Sequence, residues 1–329
     1  MAQDRLAALR SFVFMPVPSF TLVSLTCAIE VLRMANHLSG SPVYKWTIVS
    51  PGGGWIIASN GLSIETLPAE SVDSADVVFV VGGTDIRCFS TRDHLAMLRR
   101  FARLGCVMGS LCTGAYTLAR AGLLFNYSCA SHWENIPALT EEFPDTHFVK
   151  ELFVIDRDRI SCAGGIAPLD LMLNIIVATG NAELAQGIAR QFLIEEIRNE
   201  SHKQRPAALS HVGSQNRPLS NVISLMEERI EDPLSRAELA RLSGMSQRQL
   251  QRLFRSKLGQ TPTRYYISLR LHRARQLLLQ TTLPLLQVTM ACGFRSSARF
   301  SKQYKDLFGL PPTHERRRQL SGTRATSAF

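Results

Sequence analysis

Cys112 lies in Gly109-Ser110-Leu111-Cys112-Thr113-Gly114-Ala115, between an apolar run at Cys106–Gly109 and a helix expected over Tyr116–Ala121. A cysteine on a sharp strand-to-helix turn has the form of a nucleophile elbow, and a helix N-terminus beneath it favours the thiolate. Catalysis asks for more, namely a base within reach of the thiol and a third group that orients the base. His132 is a candidate base, but no third group is evident, so the pair makes a weak triad. The same residues suit ligand sensing better. Gly82-Gly83-Thr84, Leu111-Cys112-Thr113 and His132-Trp133-Glu134 are expected to line one crevice and to supply backbone N–H groups, a thiol, an aromatic face and a carboxylate. For a cationic ligand, Trp133 offers a cation–π face and Glu134 the counter-charge.

A second set of chemical groups lies near the C-terminus. Gln247, Arg248, Gln249, Gln251 and Arg252 fall on the outer face of a helix expected over Ser246–Leu258, and Arg295, Ser296, Ser297, Arg299 and Lys302 open another. Arg pairs bidentately with guanine and Gln with adenine in the major groove, so these helices carry reading groups as well as charge. Their partner is expected to be double-stranded DNA.

The elements that position these groups follow a pattern. A capped helix at Leu234–Ala240, a turn at Ser243-Gly244-Met245 and the helix at Ser246–Leu258 form one helix-turn-helix, with Leu250, Leu253, Phe254 and Leu258 inside. A helix begun by Leu285, Leu286 and Val288, a turn at Gly293-Phe294, and a helix striped by Phe300, Tyr304 and Phe308 form a second. Gly at a helix end and Ser at the next start supply the stop and the cap. Between the units, the helix expected from Pro262 to Gln280 would span about 28 Å at 1.5 Å per residue. One turn of B-DNA is about 34 Å, so one chain is expected to place two helices in successive major grooves.

Upstream, buried strands at Phe12–Met15, Trp46–Val49, Val77–Val81 and Cys106–Gly109 alternate with helices at Thr26–Leu38, Leu95–Leu104 and Tyr116–Ala121. Further helices are expected at Leu169–Thr179 and Ala182–Ile197, the last with Ile188, Phe192 and Ile197 covering the sheet or a twin subunit. Continuous apolar strands indicate a parallel sheet covered on both faces, a three-layer α/β sandwich. Ligands in such folds bind at the carboxyl ends of strands, where Cys112 stands. Pro51-Gly52-Gly53-Gly54 reads as a turn, because no Lys-Ser/Thr follows to make a phosphate loop.

The 329 residues carry a formal net charge of +10, unevenly divided. Residues 1–200 hold 15 Lys and Arg against 20 Asp and Glu, whereas residues 201–329 hold 22 against 7. A polyanion partner for the C-terminal third follows from counterion release. No stretch approaches 18 uninterrupted apolar residues, so a soluble, cytoplasmic protein is expected, and no membrane partner, since a membrane surface would want an amphipathic apolar face that the core stripe already uses. Seven scattered cysteines without a Cys-x-x-Cys pair fit reduced thiols, with neither a disulfide frame nor a metal site and no cofactor implied.

Residues 220–317 resemble the AraC-type DNA-binding domain through Ala274, Leu277, Leu278, Gly293-Phe294, Ser296-Ser297, Phe300, Tyr304, Phe308-Gly309 and Pro311. Two departures fall at packing positions: Thr289-Met290 replace an Ile-Ala pair, and His314-Glu315 stand near a terminal aromatic-Arg. The N-terminal half resembles the ThiJ/PfpI group of the class I glutamine-amidotransferase-like fold. The whole chain is similar to the GlxA branch of AraC-type regulators, on the elbow and on Glu30–Asn36, Ser131-His132-Trp133-Glu134 and Asp156–Arg159 leading to Cys162-Ala163-Gly164-Gly165. The resemblance implies an activator of a catabolic operon that responds to a small nitrogen compound, an amino acid, betaine or carnitine among them.

Enzymes resembling the N-terminal half place a carboxylate after the first strand, close to the thiol. Here Pro16–Ala28 contains no Asp or Glu, Ser24 takes the place of one such acid, and Thr113 follows Cys112 where peptidase-like relatives have His. The reading is therefore a ligand-responsive regulator and not an enzyme, with a Cys-dependent hydrolase or hydratase fused to a DNA-binding domain as the alternative. Its sensing and dimerisation domain is expected at 1–197, a linker at 198–219 and the DNA-binding domain at 220–329. Expected partners are operator DNA, a small-molecule effector, RNA polymerase and a second copy of the chain.

Overall fold

The structure, a computed structural model, describes residues 2–204 and 217–316. The chain divides into two compact units, Met1–Gln204 and Arg205–Phe329. Of the segment expected as a linker, residues 205–216 lie outside the described residues, whereas 198–204 pack on the first unit and a helix, Arg217–Glu228, already belongs to the second.

An eight-stranded sheet forms the middle of the first unit. Its strands are β1 (Ser11–Pro16), β2 (Lys45–Ser50), β3 (Gly54–Ile57), β4 (Ser63–Pro68), β5 (Val77–Val81), β6 (Val107–Leu111), β9 (Phe153–Asp156) and β10 (Arg159–Cys162), in the order β3-β4-β2-β1-β5-β6-β10-β9. The inner six are parallel, and the edge strands β3 and β9 are antiparallel to their neighbours. Two short strands, β7 (Ser128–Ala130) and β8 (His147–Val149), pair separately.

Alternation along the strands builds two cores. Phe12 and Phe14 of β1 with Phe79 and Val81 of β5 face the helices α2 (Leu22–Ser39), α7 (Ala167–Ala178) and α8 (Ala182–Gln191). Val13, Met15, Val78 and Val80 face the helices α4 (Arg92–Arg103), α5 (Gly114–Arg120) and α6 (Ile136–Glu142). This is the three-layer α/β sandwich. The remaining helices of the unit are α1 (Ala2–Ala8) and α3 (Ile86–Phe89).

Of the boundaries that differ from the sequence reading, two have a visible cause. β6 runs on through Gly109 to Leu111, because Gly109 lies under the Phe79 ring, where a Cβ would come within 2.3 Å of it. α8 stops at Gln191 and not at Ile197, since Leu193 takes a left-handed φ of 56° and turns the chain so that Phe192, Ile194 and Ile197 pack against the unit's own core.

The second unit is helical and carries two helix-turn-helix pairs. Arg236–Leu242 and Gln247–Leu258 make the first, Leu285–Ala291 and Ser297–Phe308 the second, and Pro262–Gln280 connects them. Left-handed glycines end the first helix of each pair, Gly244 at φ 66° and Gly293 at φ 70°. Leu219, Val222, Leu239, Leu250 and Phe254 form the first core, with Leu253 and Leu258 packed against it. In the second pair Phe300 and Tyr304 are buried and Phe308 half-buried. The two sequence departures behave differently from each other. Thr289 is buried and donates to the Leu285 carbonyl, whereas Met290 points outward with 60% exposure and is no packing residue. Glu315 is buried and accepts hydrogen bonds from Tyr304 at 3.1 Å and Arg275 at 2.9 Å, so a carboxylate closes this end of the domain.

Candidate ligand crevice and nucleic-acid interface

β6 delivers Cys112 into the turn at a left-handed φ of 58°, the strained geometry expected of an elbow. Its N–H donates to the Cys162 carbonyl at 3.0 Å, and its carbonyl accepts from the Ser131 hydroxyl at 3.1 Å. The thiol lies against Gly164, where an added Cβ would stand 2.5 Å from Cys112 Cβ and 2.9 Å from its Sγ. Thr21 Oγ1 is 3.7 Å from the same sulfur.

Burial pushes the Cys112 thiol above its ordinary pKa, and the charge of Glu134 adds to the rise, against opposing hydrogen bonds from Thr21 and the Thr113 backbone. The sulfur is therefore a protonated thiol near neutral pH, which is a poor nucleophile. Ser24 is fully buried and donates to the Gly165 carbonyl at 3.2 Å, a structural bond with no acid–base capacity. His132 Nδ1 lies 3.7 Å from Glu134 Oε2, and no hydrogen bond joins His132 to Cys112 among the described residues. Burial lowers the His132 pKa, with Glu134 partly offsetting it.

The structure brings Gly83, Cys112, Thr113 and Ser131 together, and the charge of Glu134 reaches the Cys112 thiol. Thr113 Oγ1 donates to the Gly83 carbonyl at 2.8 Å, and Gly83 itself is pressed so closely on Ser19 that a Cβ would meet the Ser19 carbonyl at 2.0 Å. Leu111 is fully buried in the core. The backbone donors expected at the crevice are mostly spent: the Gly82 N–H goes to Leu111 and the Thr84 N–H to Ser19, each at 3.1 Å. What stays available is side-chain chemistry. Glu134 and Thr84 are exposed, His132 and Trp133 half-buried, and the His132 and Trp133 rings lie 5.7 Å apart.

Sequence reasoning missed Thr21, Gly164 and Gln204. Thr21 and Gly164 are distant in sequence from Cys112 and meet it only through the β1, β6 and β10 carboxyl ends. Gln204 carried no signal because its surroundings read as linker. Its side-chain oxygen accepts from the Trp133 N–H at 2.8 Å, and its Nε2 donates to the Ser131 carbonyl at 2.8 Å. Arg198, at the start of that segment, is anchored too, by a 2.5 Å ion pair with buried Asp170.

On the second unit, Arg248 and Arg252 are exposed and Gln251 half-buried on the helix Gln247–Leu258. The neighbouring glutamines are already engaged. Gln249 Oε1 accepts from the Ser246 N–H at 2.8 Å while Ser246 Oγ accepts from the Gln249 N–H at 3.2 Å, a complete capping box. Gln247 Oε1 accepts from Arg236 Nε at 2.9 Å. On the second reading helix Ser296 is the N-cap and accepts from the Arg299 N–H, and Arg295, Ser297, Arg299 and Lys302 are exposed. Both helices thus present basic outer faces from capped, buried frames.

A model of the DJ-1/PfpI family matches residues 13–178, and a model of a helix-turn-helix domain matches residues 239–318. The chain is 44% identical over 317 residues to the HTH-type transcriptional regulator GbdR of Pseudomonas aeruginosa, covering 95% of this chain and 86% of that one. It is 39% identical to the HTH-type transcriptional regulator GlxA of Rhizobium meliloti, covering 94% and 96%. Among solved structures, an AraC family transcriptional regulator from Pseudomonas putida matches with a TM-score of 0.51 and 29% identity, covering 56% of this chain and 99% of that one.

Proposed function

We propose, from the premise that this chain belongs to the GlxA-type helix-turn-helix transcriptional regulators with a DJ-1/PfpI domain, that its N-terminal unit senses a small cationic or zwitterionic nitrogen compound. The chain is a DNA-binding transcriptional regulator. The finer reading is an activator of a catabolic operon, acting in the cytoplasm as a homodimer that contacts RNA polymerase, with its effector an amino acid, betaine or carnitine-like molecule.

The observation that carries the sensing role is the state of Cys112. Its buried thiol, pushed up by burial, has no carboxylate in Pro16–Ala28 and no hydrogen-bonded histidine among the described residues to take its proton. General acid–base assistance normally contributes about two to four orders of magnitude, so the crevice is suited to holding a ligand and poorly suited to converting one. Trp133 and Glu134 beside it offer an aromatic face and a negative charge, the pair that selects a small cation. DNA contact is assigned to Arg248, Gln251 and Arg252 on the first reading helix and to Arg295, Ser297, Arg299 and Lys302 on the second. No helix among the described residues is long and apolar enough to cross a membrane.

A thermal-shift screen of the full chain with small amines, betaines and amino acids tests this, because a ligand of the folded state raises apparent stability by mass action. A stabilising ligand whose effect falls in Glu134→Gln, and which is recovered unchanged after long incubation, is the expected result. Recovery of a chemically altered product would overturn the sensing role in favour of catalysis.

A further inference from the structure

A groove of about 430 Å³ opens on the second unit where the two helix-turn-helix pairs meet. Four arginines line it, Arg236 from the first pair, Arg270 from the connecting helix, and Arg295 and Arg299 from the second pair, and no Asp or Glu is among its lining residues. Arg295 and Arg299 make no side-chain hydrogen bond or ion pair among the described residues. Arg270 is fixed in place: its Nε donates to the Cys292 carbonyl at 2.7 Å, and its guanidinium lies 4.0 Å from the centre of the Phe294 ring. Four positive charges lining one groove, with no acidic residue in its lining, repel one another, which favours an anion in the space between them.

The rest of the lining narrows the choice of anion. Leu239, Ile267 and Phe294 give the groove apolar walls. A sugar–phosphate strand, with alternating apolar sugar and charged phosphate, matches such a surface better than a small inorganic anion does. The position agrees, since Arg236 precedes the first reading helix, Arg299 belongs to the second, and the groove lies between them. One wall is closely packed. Gly293 sits so close to the loop before the first pair that a Cβ would meet the Ile230 carbonyl at 2.5 Å.

We propose that this groove seats the DNA sugar–phosphate strand that passes between the two major grooves, so that both helix-turn-helix pairs hold one stretch of backbone in common. This rests on the reading of the two helices as DNA-contacting. It adds a phosphate clamp that sets the spacing of the two reading helices on the duplex, and it assigns Arg299 to backbone and not to bases.

The test uses the full chain and a duplex selected by it from a random pool. Single uncharged methylphosphonate linkages are placed in turn along the stretch between the two contacted major grooves. One or two of these are expected to weaken wild-type binding about tenfold. Arg236→Ala should be insensitive to the same linkages, and its plot of log affinity against log salt should be shallower by about one, the loss of one phosphate contact. Gln303→Glu, which adds a negative charge to the groove at a half-buried helix position, should weaken binding to the natural duplex and recover part of it on the uncharged one. If every linkage between the grooves is indifferent while base changes in both still weaken binding, the clamp is wrong and DNA reading stands. If base changes in one of the two grooves are without effect, the two-helix reading itself fails.

Discussion

Gln204, the last described residue of the N-terminal unit, accepts a hydrogen bond from the Trp133 N–H at 2.8 Å and so ties the end of that unit to the aromatic residue of the proposed crevice. The same side chain donates to the Ser131 carbonyl at 2.8 Å and the Glu151 carbonyl at 3.2 Å. The segment bearing His132, Trp133 and Glu134 is thus held from behind by a residue outside the sheet.

Gln204→Ala leaves these groups without partners, and an unsatisfied buried polar group costs about 1–3 kcal/mol. The expected outcome is a lower Tm for the N-terminal unit, by about 2–4 °C per kcal/mol for a unit of this size, together with weaker ligand binding. Differential scanning calorimetry of the full chain measures the first and titration of the ligand the second. An unchanged Tm with unchanged affinity would show the bond to be idle.

His94 gives a pH prediction. It is buried, its Nδ1 accepts from the Thr91 N–H at 3.3 Å, and its Nε2 has no hydrogen-bond partner among the described residues. Burial lowers its pKa below the usual value, with Asp93 slightly opposing, and His132 is lowered in the same direction. Where the folded pKa of a histidine is depressed, the unfolded chain binds the extra proton first, so stability falls as pH drops below about 6.5. His94→Gln keeps an acceptor at the third helical position, as a capping box requires, and has nothing to titrate. Urea unfolding at pH 7 and pH 5 should therefore show a smaller loss in the variant than in the wild type. Equal losses would mean that His94 is not the sensitive group.

Much of this arrangement was legible beforehand because it rests on local rules. The helix-turn-helix pairs announce themselves through Ser235, Ser246 and Ser296 as caps and Gly244 and Gly293 as stops, all short-range signals. The turn at Cys112 was legible for the same reason. The hairpins β3–β4 and β9–β10 were not, since their strands are short and, in β3 and β4, mostly exposed, which leaves no apolar run to mark them. Gly109 was read as the end of a strand, although Phe79 above it is what demands a glycine. Gln249 is expected as a base contact because its helical position is exposed, whereas its side-chain oxygen accepts from the Ser246 N–H in a capping box, a use that the Ser-x-x-Gln spacing already signalled.

That distinction separates neighbouring positions on one helix. Arg248→Ala should remove sequence preference, costing about 1–3 kcal/mol on the selected duplex and little on random DNA. Gln249→Ala should instead lower the stability of the second unit by about 0.5–1.5 kcal/mol, the worth of the one capping-box hydrogen bond it removes, and leave preference intact. Arg299→Ala should weaken specific and random DNA alike. Binding assays on both duplexes, paired with thermal unfolding, resolve the three. Loss of preference in Gln249→Ala at unchanged stability would return that side chain to the bases.

Cys112 and Gly164 test the crevice itself. If the thiol only fills space against a ligand, Cys112→Ala keeps the backbone turn, removes one sulfur and leaves a regulator that still responds, at altered ligand affinity. Gly164→Ala is a different change: its φ of 94° is strained for any side chain, and the new Cβ would stand 2.5 Å from that of Cys112. Strain of this kind costs about 1–3 kcal/mol, and the crowding adds to it. The expected outcome is a less stable N-terminal unit whose ligand response is lost while DNA binding by the second unit persists. Transcription assays with and without ligand, alongside DNA binding, read both variants. A Cys112→Ala protein that binds ligand and DNA as the wild type does, yet never responds at saturation, would show that the sulfur reacts and would remove the space-filling account of Cys112.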